Sequence, residues 1–154
     1  MSLSSAVAKL ALKGKGTNLQ LRMSTFQEVV RAVSVSADLR NAALAASNRS
    51  YSPYSHSPCG VAFETNPEGV GPRIYSGFYI ENAAFNPSFP PLQFALAGLV
   101  RDGGSYANIK QLVLVEKLNP VISHIENTRV LLHSIAPEAK MAVLYVDDEN
   151  EQEH

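Results

Sequence analysis

Hydrophobic residues in the first third of the chain recur with the spacing of helices. Between Phe26 and Val33 they return every three or four positions, and Thr25 and Glu28 can form a capping box at the start of this helix. A second helix, rich in alanine, is predicted from Ser36 to about Asn48. The small apolar residues that share one face of it are Leu39, Ala43 and Ala46.

Polar and turn-forming residues in the middle of the chain separate two predicted strands. Ser50–Pro58 is rich in serine and proline, which predicts a loop. Strands are predicted at Gly60–Thr65 and Arg73–Ile80, and residues 66–69, with the sequence Asn-Pro-Glu-Gly, supply a turn between them. We therefore expect these strands to form a β-hairpin.

A helix is predicted to follow the hairpin at a pair of prolines. Ser88 is its expected cap, and Pro90 and Pro91 fit its first turn because the N–H groups there lack intrahelical partners. Leucines at helical spacing continue the helix until residues 103–104, two glycines that are typical of a helix end.

Two largely apolar runs and one amphipathic stripe are found in the last third of the chain. Ile109–Val115 is typical of a buried central strand, and Met141–Val146 is the final strand. Between them Ile125–Ile135 carries a helical stripe, and Ser123 and Glu126 can cap it. This order of elements predicts one α/β domain with helices on both faces of a mixed sheet, in which an antiparallel hairpin joins parallel strands.

Composition excludes several classes of function. The chain has 154 residues, of which 45% are apolar, and a net charge of −1, so no basic field favours nucleic acid as a partner. No apolar run reaches the roughly 18 residues that a membrane span needs, so no membrane partner is expected. The first twelve residues do not resemble a secretory signal, and the single cysteine excludes an internal disulfide. We expect a cytoplasmic protein.

Three segments are predicted along the chain. Residues 1–23 are interpreted as an N-terminal extension or linker, which contains a flexible joint at Lys13–Gly16. Residues 24–146 form the predicted domain. Residues 147–154 include five acidic residues and are expected to be a solvated tail.

Two blocks of sequence resemble the cytidine deaminases. Arg49–Ala62 reads RSYSPYSHSPCGVA, and Tyr75–Phe85 reads YSGFYIENAAF. The resemblance covers about a third of the chain in these motifs, and the predicted order of strands and helices agrees with that family. It implies the three-layer α/β/α cytidine deaminase-like fold with a mixed sheet.

The same resemblance implies that the family's catalytic groups are missing. Its active members hold a zinc ion with three protein ligands, and a nearby glutamate moves protons while zinc-bound water attacks the cytosine ring. Counting from Glu81 places the metal-binding cysteine at Pro90 and the glutamate at Leu92. Residues 118–124 lack the Pro-Cys-x-x-Cys turn that supplies the other two ligands. No catalytic residue, metal ligand or cofactor is therefore expected in this chain, and zinc is expected in the catalytic domain of its parent enzyme.

The same resemblance implies that residues lining the family's substrate pocket are replaced in this chain. An aromatic residue that lines the pyrimidine site falls at Ser57. The asparagine of the ribose-binding pair falls at Tyr79, whose bulk can fill the space of a ribose, while the glutamate remains as Glu81. Glu81 is the substrate-binding candidate. Phe85 is the candidate for reaching a neighbouring active site across an interface, the alternative being an ordinary core phenylalanine.

A different metal site has little support in the sequence. His56 and Cys59 are separated by two residues, and His124 and His133 lie elsewhere in the chain. Zinc needs three or four converging ligands. Cys59 is therefore interpreted as a small apolar strand residue.

One type of cytidine deaminase matches these departures. Some members have two tandem deaminase folds, of which the N-terminal copy holds zinc and the C-terminal copy has lost it. Residues 82–87, followed by Pro-Pro-Leu-Gln at 90–93, resemble the degenerate copy. The resemblance implies the non-catalytic half of a pyrimidine-salvage enzyme, with a catalytic cytidine deaminase domain as its partner in a homo-oligomer. A free-standing nucleoside-binding module that uses Glu81, or a pure interaction module, is the alternative.

Overall fold

The computed structural model describes residues 35–146 and the backbone of residues 21–22. The helix predicted between Phe26 and Val33, its Thr25–Glu28 cap, the joint at 13–16 and the acidic tail lie outside the described residues. The described elements in chain order are β1 (Leu21–Arg22), α1 (Ala37–Asn48), β2 (Cys59–Thr65), β3 (Arg73–Phe78), α2 (Pro91–Arg101), β4 (Ile109–Lys117), α3 (Ile125–Ile135) and β5 (Lys140–Val146). The limits of the three predicted segments stay a prediction.

The five strands form one mixed sheet in the order β1-β5-β4-β2-β3. β2 pairs with β3 as the predicted antiparallel hairpin, and its other edge pairs antiparallel with β4. β4 and β5 run parallel. β4 therefore occupies the predicted central position, although Lys110 and Gln111 interrupt its apolar sequence.

Helices cover both faces of this sheet. On one face, α1 buries Leu39 and Ala43 against apolar residues of the central strands, among them Ala62 and Val113. On the other face, α2 and α3 bury a larger cluster that includes Leu92 and Leu132. The predicted three-layer α/β/α arrangement is confirmed. Within 35–146, every helix is too short to cross a bilayer.

Two glycines allow the helices to approach the sheet closely. A Cβ atom at Gly60 would lie 2.1 Å from the Ser47 nitrogen of α1, and one at Gly77 would lie 2.4 Å from the Pro91 oxygen of α2. Both contacts are to backbone atoms and are far shorter than any real carbon contact. Glycine is therefore required at both points by the packing of the layers, although neither residue has a positive φ.

Both caps predicted for the helices on this second face are wrong. Pro90, and not Ser88, is the residue before α2, while the Ser88 hydroxyl accepts from the Asn82 N–H and donates to the Ala84 carbonyl. His124 precedes α3. The Ser123 hydroxyl donates to Glu116 of β4 at 2.8 Å, and Glu126 pairs with Arg129. The Ser88 hydroxyl thus has only partners within its turn. The Ser123 hydroxyl still accepts from the N–H of Ile125, the first residue of α3, at 3.3 Å, although His124 is the residue before the helix.

Candidate functional site

Three segments meet beside the N-terminal ends of α2 and α3: the 50–58 loop, residues 79–90 and the 118–124 turn. Backbone hydrogen bonds connect the first two. The Tyr51 N–H donates to the Tyr79 carbonyl at 2.9 Å, and the Glu81 N–H donates to the Tyr51 carbonyl at 2.7 Å. Ile80 pairs with Phe89 in both directions, which folds the 81–88 turn back over the end of the sheet. The sequence-predicted site residues are thereby brought together.

Pro90 and Leu92 belong to the first turn of α2 and its approach. Pro90 has extended backbone geometry and forms no side-chain cap. Leu92 is 1% exposed and is part of the large core cluster. A hydrocarbon side chain in this core neither binds a metal nor exchanges a proton, so neither residue offers a reactive group.

A buried carboxylate holds the 118–124 turn. Glu116, at the end of β4, is 1% exposed and accepts hydrogen bonds from the Ser123 hydroxyl at 2.8 Å and the His124 N–H at 3.1 Å. Burial raises the pKa of Glu116 more than these two hydrogen bonds lower it. The Ile122 N–H also donates to the Ser57 hydroxyl at 3.1 Å, which joins this turn to the 50–58 loop.

Tyr79 and His124 pack against each other between these segments. Tyr79 is 1% exposed and His124 is 3% exposed, and their ring centres are 4.2 Å apart at an interplanar angle of 55°. Burial lowers the pKa of His124 to about 4, although the negative charge of Glu81 opposes that shift. The imidazole is therefore neutral at pH 7. The Tyr79 ring therefore lies inside the domain, and its filling of the space of a ribose stays a prediction.

Glu81 is a structural anchor for the 50–58 loop in this arrangement. It is 4% exposed, and its carboxylate accepts hydrogen bonds from the Tyr54 N–H at 2.7 Å, the Ser55 N–H at 2.9 Å and the Ser55 hydroxyl. Burial alone would raise the pKa of Glu81, but these hydrogen bonds outweigh it and hold the pKa below its usual value. The sequence predicts that Glu81 binds substrate, but in the structure its carboxylate accepts hydrogen bonds from three donors of the protein itself.

Phe85 lies on the outside of the molecule. Its side chain is 67% exposed, so it is not a core phenylalanine of this chain. The turn that carries it is closed by hydrogen bonds from the Asn82 side chain to the Pro87 carbonyl at 2.7 Å and from the Ser88 N–H to the Phe85 carbonyl at 3.0 Å. Its predicted role across an interface stays a prediction.

A cavity of about 260 Å³ opens between this turn and the start of α3. Its lining includes Tyr79, Phe85, Ser88, Ile122 and His124. None of the lining residues is an aspartate, glutamate, lysine or arginine. The cavity is therefore polar in part but carries no formal charge at neutral pH.

Comparison with known proteins identifies the family. Residues 3–129 match the family described as "Cytidine and deoxycytidylate deaminase zinc-binding region". The chain belongs to this deaminase family. The expected resemblance to the cytidine deaminases is therefore confirmed.

Curated cytidine deaminases are similar over most of this chain. Cytidine deaminase 1 of Arabidopsis thaliana is 44% identical over 112 residues, which cover 71% of this chain and 36% of that protein. The cytidine deaminase of Vibrio vulnificus is 42% identical over 106 residues, which cover 69% of this chain and 35% of that protein. The chain thus spans about a third of the length of these deaminases.

Solved structures of the deaminase family share the fold. The cytidine deaminase from Mycobacterium leprae is 27% identical with a TM-score of 0.56, over 73% of this chain and 94% of that one. The enzyme from Burkholderia pseudomallei has a TM-score of 0.59 at 22% identity, over 75% of this chain and 87% of that one. The expected cytidine deaminase-like fold class is confirmed.

The residues of this deaminase chain do not fit the zinc of its family. Within 35–146, no three His, Cys, Asp or Glu side chains are grouped closely enough to hold a metal. His56 and His133 are exposed, and His124 is buried against Tyr79. Cys59 is fully buried in β2, where burial and the nearby Glu116 raise the pKa of its thiol well above the usual value. A protonated thiol in an apolar strand is a poor zinc ligand.

Sequence reasoning missed Glu116, although it ties the site together. The only local signal is an acidic residue directly after the apolar run Ile109–Val115. A charged residue that extends a buried strand needs a hydrogen-bond or ion-pair partner inside the protein. His124 was weighed only as a metal ligand, and its packing against Tyr79 depends on a contact between residues 45 positions apart that no local pattern reveals.

Proposed function

We propose that this chain is the non-catalytic structural half of a zinc-dependent cytidine deaminase. The whole enzyme would convert cytidine or deoxycytidine and water to the uridine counterpart and ammonia, in pyrimidine salvage. This half supports assembly and completes the active site of a catalytic domain that carries the zinc. The observation that carries the proposal is the burial of Leu92 in the core, at the place where the family's proton-transfer residue is expected.

The length of the curated relatives supports a second domain. The matched segment accounts for only 36% and 35% of the Arabidopsis and Vibrio proteins, both named cytidine deaminases. The other two thirds of those proteins leave room for a catalytic deaminase domain. By analogy, this chain works together with such a domain as its partner.

Exposed aromatic residues beside the site support association with that partner. Tyr51 is 59% exposed, Tyr54 is 64% exposed and Phe85 is 67% exposed. Tyr51 and Phe89, which is 40% exposed, both pair with Ile80 in short bridges at the end of the sheet, so these two exposed aromatic residues lie near each other. Large apolar side chains on one part of a surface are typical of interaction sites. The proposal includes a homo-oligomeric, cytoplasmic assembly without nucleic acid or membrane partners.

The alternative of a nucleoside-binding module has weaker support. It relies on Glu81, whose carboxylate already accepts three hydrogen bonds from Tyr54 and Ser55. A ribose hydroxyl would have to compete with those donors and free the 50–58 loop. A pure interaction module differs from the proposed function only in having no effect on catalysis.

A reconstitution experiment tests the proposed function. The full chain is mixed with a separately made zinc-bearing domain of a two-domain cytidine deaminase, and complex formation and cytidine turnover are measured. We expect a complex and a rise in activity, and no turnover by this chain alone. Failure to form a complex, or a complex without any gain in activity, would contradict the proposal.

Two alanine variants separate the effect of Phe85 from general surface change. Phe85→Ala is expected to lower the gain in activity, because it removes the aromatic residue assigned to the interface. Val70→Ala is the matched control, since Val70, between β2 and β3, is 57% exposed. Equal effects of the two substitutions would rule out a specific role for Phe85.

A further inference from the structure

A hydroxyl that both donates and accepts joins the 50–58 loop to the 118–124 turn. Ser57 is 1% exposed. Its hydroxyl donates to the Ser55 carbonyl at 3.2 Å and accepts from the Ile122 N–H at 3.1 Å. Separating the two segments would break the second bond beside a buried side chain, where an unpaired polar group is costly. Ser57 is therefore the point at which movement of one segment disturbs the other.

Each of the two segments is also attached to a buried carboxylate of its own. Glu81 accepts hydrogen bonds from the N–H and the hydroxyl of Ser55 in the loop. Glu116 accepts one from the Ser123 hydroxyl and one from the His124 N–H in the turn. The hydrogen bonds thus run in one series from the first carboxylate to the second. Bonds in such a series polarise one another, so the loss of one weakens its neighbours.

Each segment contains a residue in a strained backbone conformation. Within 35–146, the residues other than glycine that have a positive φ are His56, at 50°, and Asn119, at 52°. Positive φ is uncommon for residues with a side chain. Such strain persists only where surrounding contacts hold it, and it is often found in segments that switch between conformations. His56 directly precedes Ser57, so the hydrogen bonds at Ser57 hold a loop that would relax if they were lost.

We propose that the 50–58 loop and the 118–124 turn form one conformational unit, in which Ser57 transmits the release of either segment to the other. The two segments expose different apolar side chains. Tyr54 is 64% exposed on the loop, and Val121 is 82% exposed on the turn. A molecule that displaces the loop at Tyr54 therefore also frees the turn that carries Val121. Ser57 is a positioning residue in this unit, and the coupling does not depend on the proposed function.

Hydrogen exchange of backbone amides, followed by nuclear magnetic resonance on the isotope-labelled full chain, tests the coupling. Ser55→Ala removes one bond to Glu81 and loosens the loop. We expect the amides of Ile122 and His124 in the turn to exchange at least about fivefold faster, a coupling of ordinary size. Ser123→Ala loosens the turn and is expected to accelerate the Ser55 amide by the same factor, because coupling between two sites is reciprocal. The amides of β4 are the reference for global opening.

Ser57→Ala separates transmission through the hydroxyl from a general loss of stability. In a protein that already carries Ser57→Ala, we expect Ser55→Ala to accelerate the amides of the loop and to leave those of the turn unchanged. Ser134→Ala in the otherwise native chain is the matched control, since the Ser134 hydroxyl bonds to the Leu131 carbonyl within α3. It is expected to leave both segments unchanged.

Three results would overturn the coupling. The first is a turn whose exchange does not respond to Ser55→Ala, and the second is an effect of Ser123→Ala on the loop that differs clearly from the reverse effect. The third is an equal response of the turn with and without the Ser57 hydroxyl. If Ser57→Ala fails to fold, the reciprocal effects of Ser55→Ala and Ser123→Ala decide the question by themselves.

Discussion

Glu81 and Glu116 are two buried carboxylates whose pKa values are shifted in opposite directions. Glu81 accepts three hydrogen bonds, which hold its pKa down despite burial. Glu116 accepts two, and burial dominates its pKa. In both cases the donors belong to loops of the domain itself. The acidic residues of this site thus stabilise loops, and neither is left free for a proton-transfer role.

His124 is expected to make the domain sensitive to mild acid. Its pKa falls from an ordinary 6.5 to about 4 on folding. The unfolded chain therefore binds a proton at higher pH than the folded chain does, so stability is full above pH 6.5 and decreases as the pH falls towards about 4. The loss is on the order of 3 kcal/mol.

Urea unfolding between these pH values measures the effect of His124. His124→Gln is expected to reduce the change in unfolding free energy with pH. His133→Gln, at an exposed position of α3, is the control and is expected to leave that change as it is in the wild type. If His124→Gln loses as much stability as the wild type when the pH falls, other groups cause the loss.

Restoring the two replaced motif residues is expected to fail. In the double variant Pro90→Cys and Leu92→Glu, the new carboxylate would enter a core position that is 1% exposed. Burial of an unpaired charge costs several kcal/mol, and the other two metal ligands would still be missing. We expect no cytidine turnover and a marked loss of stability in denaturant unfolding. Turnover with bound zinc would contradict the assignment of both positions.

At the level of helices and strands, burial of one face explains why the sequence predicted so much of the fold. The helix from Ser36 was predicted from its small apolar face, and the structure has α1 at Ala37–Asn48 with Ser36 as its cap. The strand predicted at Ile109–Val115 lies in β4 at the centre of the sheet, where its uninterrupted apolar part, Leu112–Val115, is buried. Periodicity records which face of an element is buried, and burial decides where the element lies.

The caps and the site depend on contacts that local sequence does not contain. Ser123 bonds to Glu116 on the preceding strand, and the Glu81 carboxylate bonds to Ser55, 26 residues earlier. A capping motif predicts only a local partner: the Ser123 hydroxyl does accept from the Ile125 N–H at 3.3 Å, but its donation to Glu116 could not be read from local sequence. Tyr79 was predicted to fill the pocket from its size alone, but its contact with His124 required the fold.

Close contact between α2 and the sheet leaves no room for a side chain at Gly77. Gly77→Ala would place a carbon 2.4 Å from the Pro91 oxygen and 2.5 Å from the Ala95 nitrogen, so helix and strand must separate. We expect a loss of about 2–4 kcal/mol in the free energy of unfolding, at or above the upper end of the roughly 0.5–3 kcal/mol that single substitutions usually cost.

Gly77 lies in β3, and the matched control for Gly77→Ala is Gly98→Ala in the facing helix α2. At Gly98 the added carbon meets only the Tyr75 ring at an ordinary 3.4 Å. Alanine is the better helix former, so Gly98→Ala is expected to be neutral or to stabilise by up to about 1 kcal/mol. Similar effects of the two substitutions in urea unfolding would show that the Gly77 contact is easily relieved.

For the whole molecule, the exposed apolar residues suggest that the isolated domain associates with itself. They lie on more than one side: Phe85 near the site, and Val100 and Val130 on α2 and α3, with exposed fractions of 67%, 56% and 68%. Surfaces of this kind are covered in assemblies. Association is therefore expected to stabilise the folded domain.

Sedimentation of the full chain over a range of concentrations tests this expectation. We expect a concentration-dependent dimer or larger species, which Phe85→Ser weakens. The matched control is Lys110→Ser, since Lys110 is exposed but not apolar. A single monomeric species at high concentration would contradict the prediction.

The hydrogen bonds that Glu116 accepts from the 118–124 turn also affect how this domain can be made. A metal centre is complete only when the ion is available, whereas a carboxylate carried by the neighbouring strand is present in every copy as soon as the chain is synthesised. The turn is thus fixed without any dependence on nutrient supply, and we expect a chelator to leave the melting temperature unchanged. In a cell short of zinc, we therefore expect this domain to remain folded.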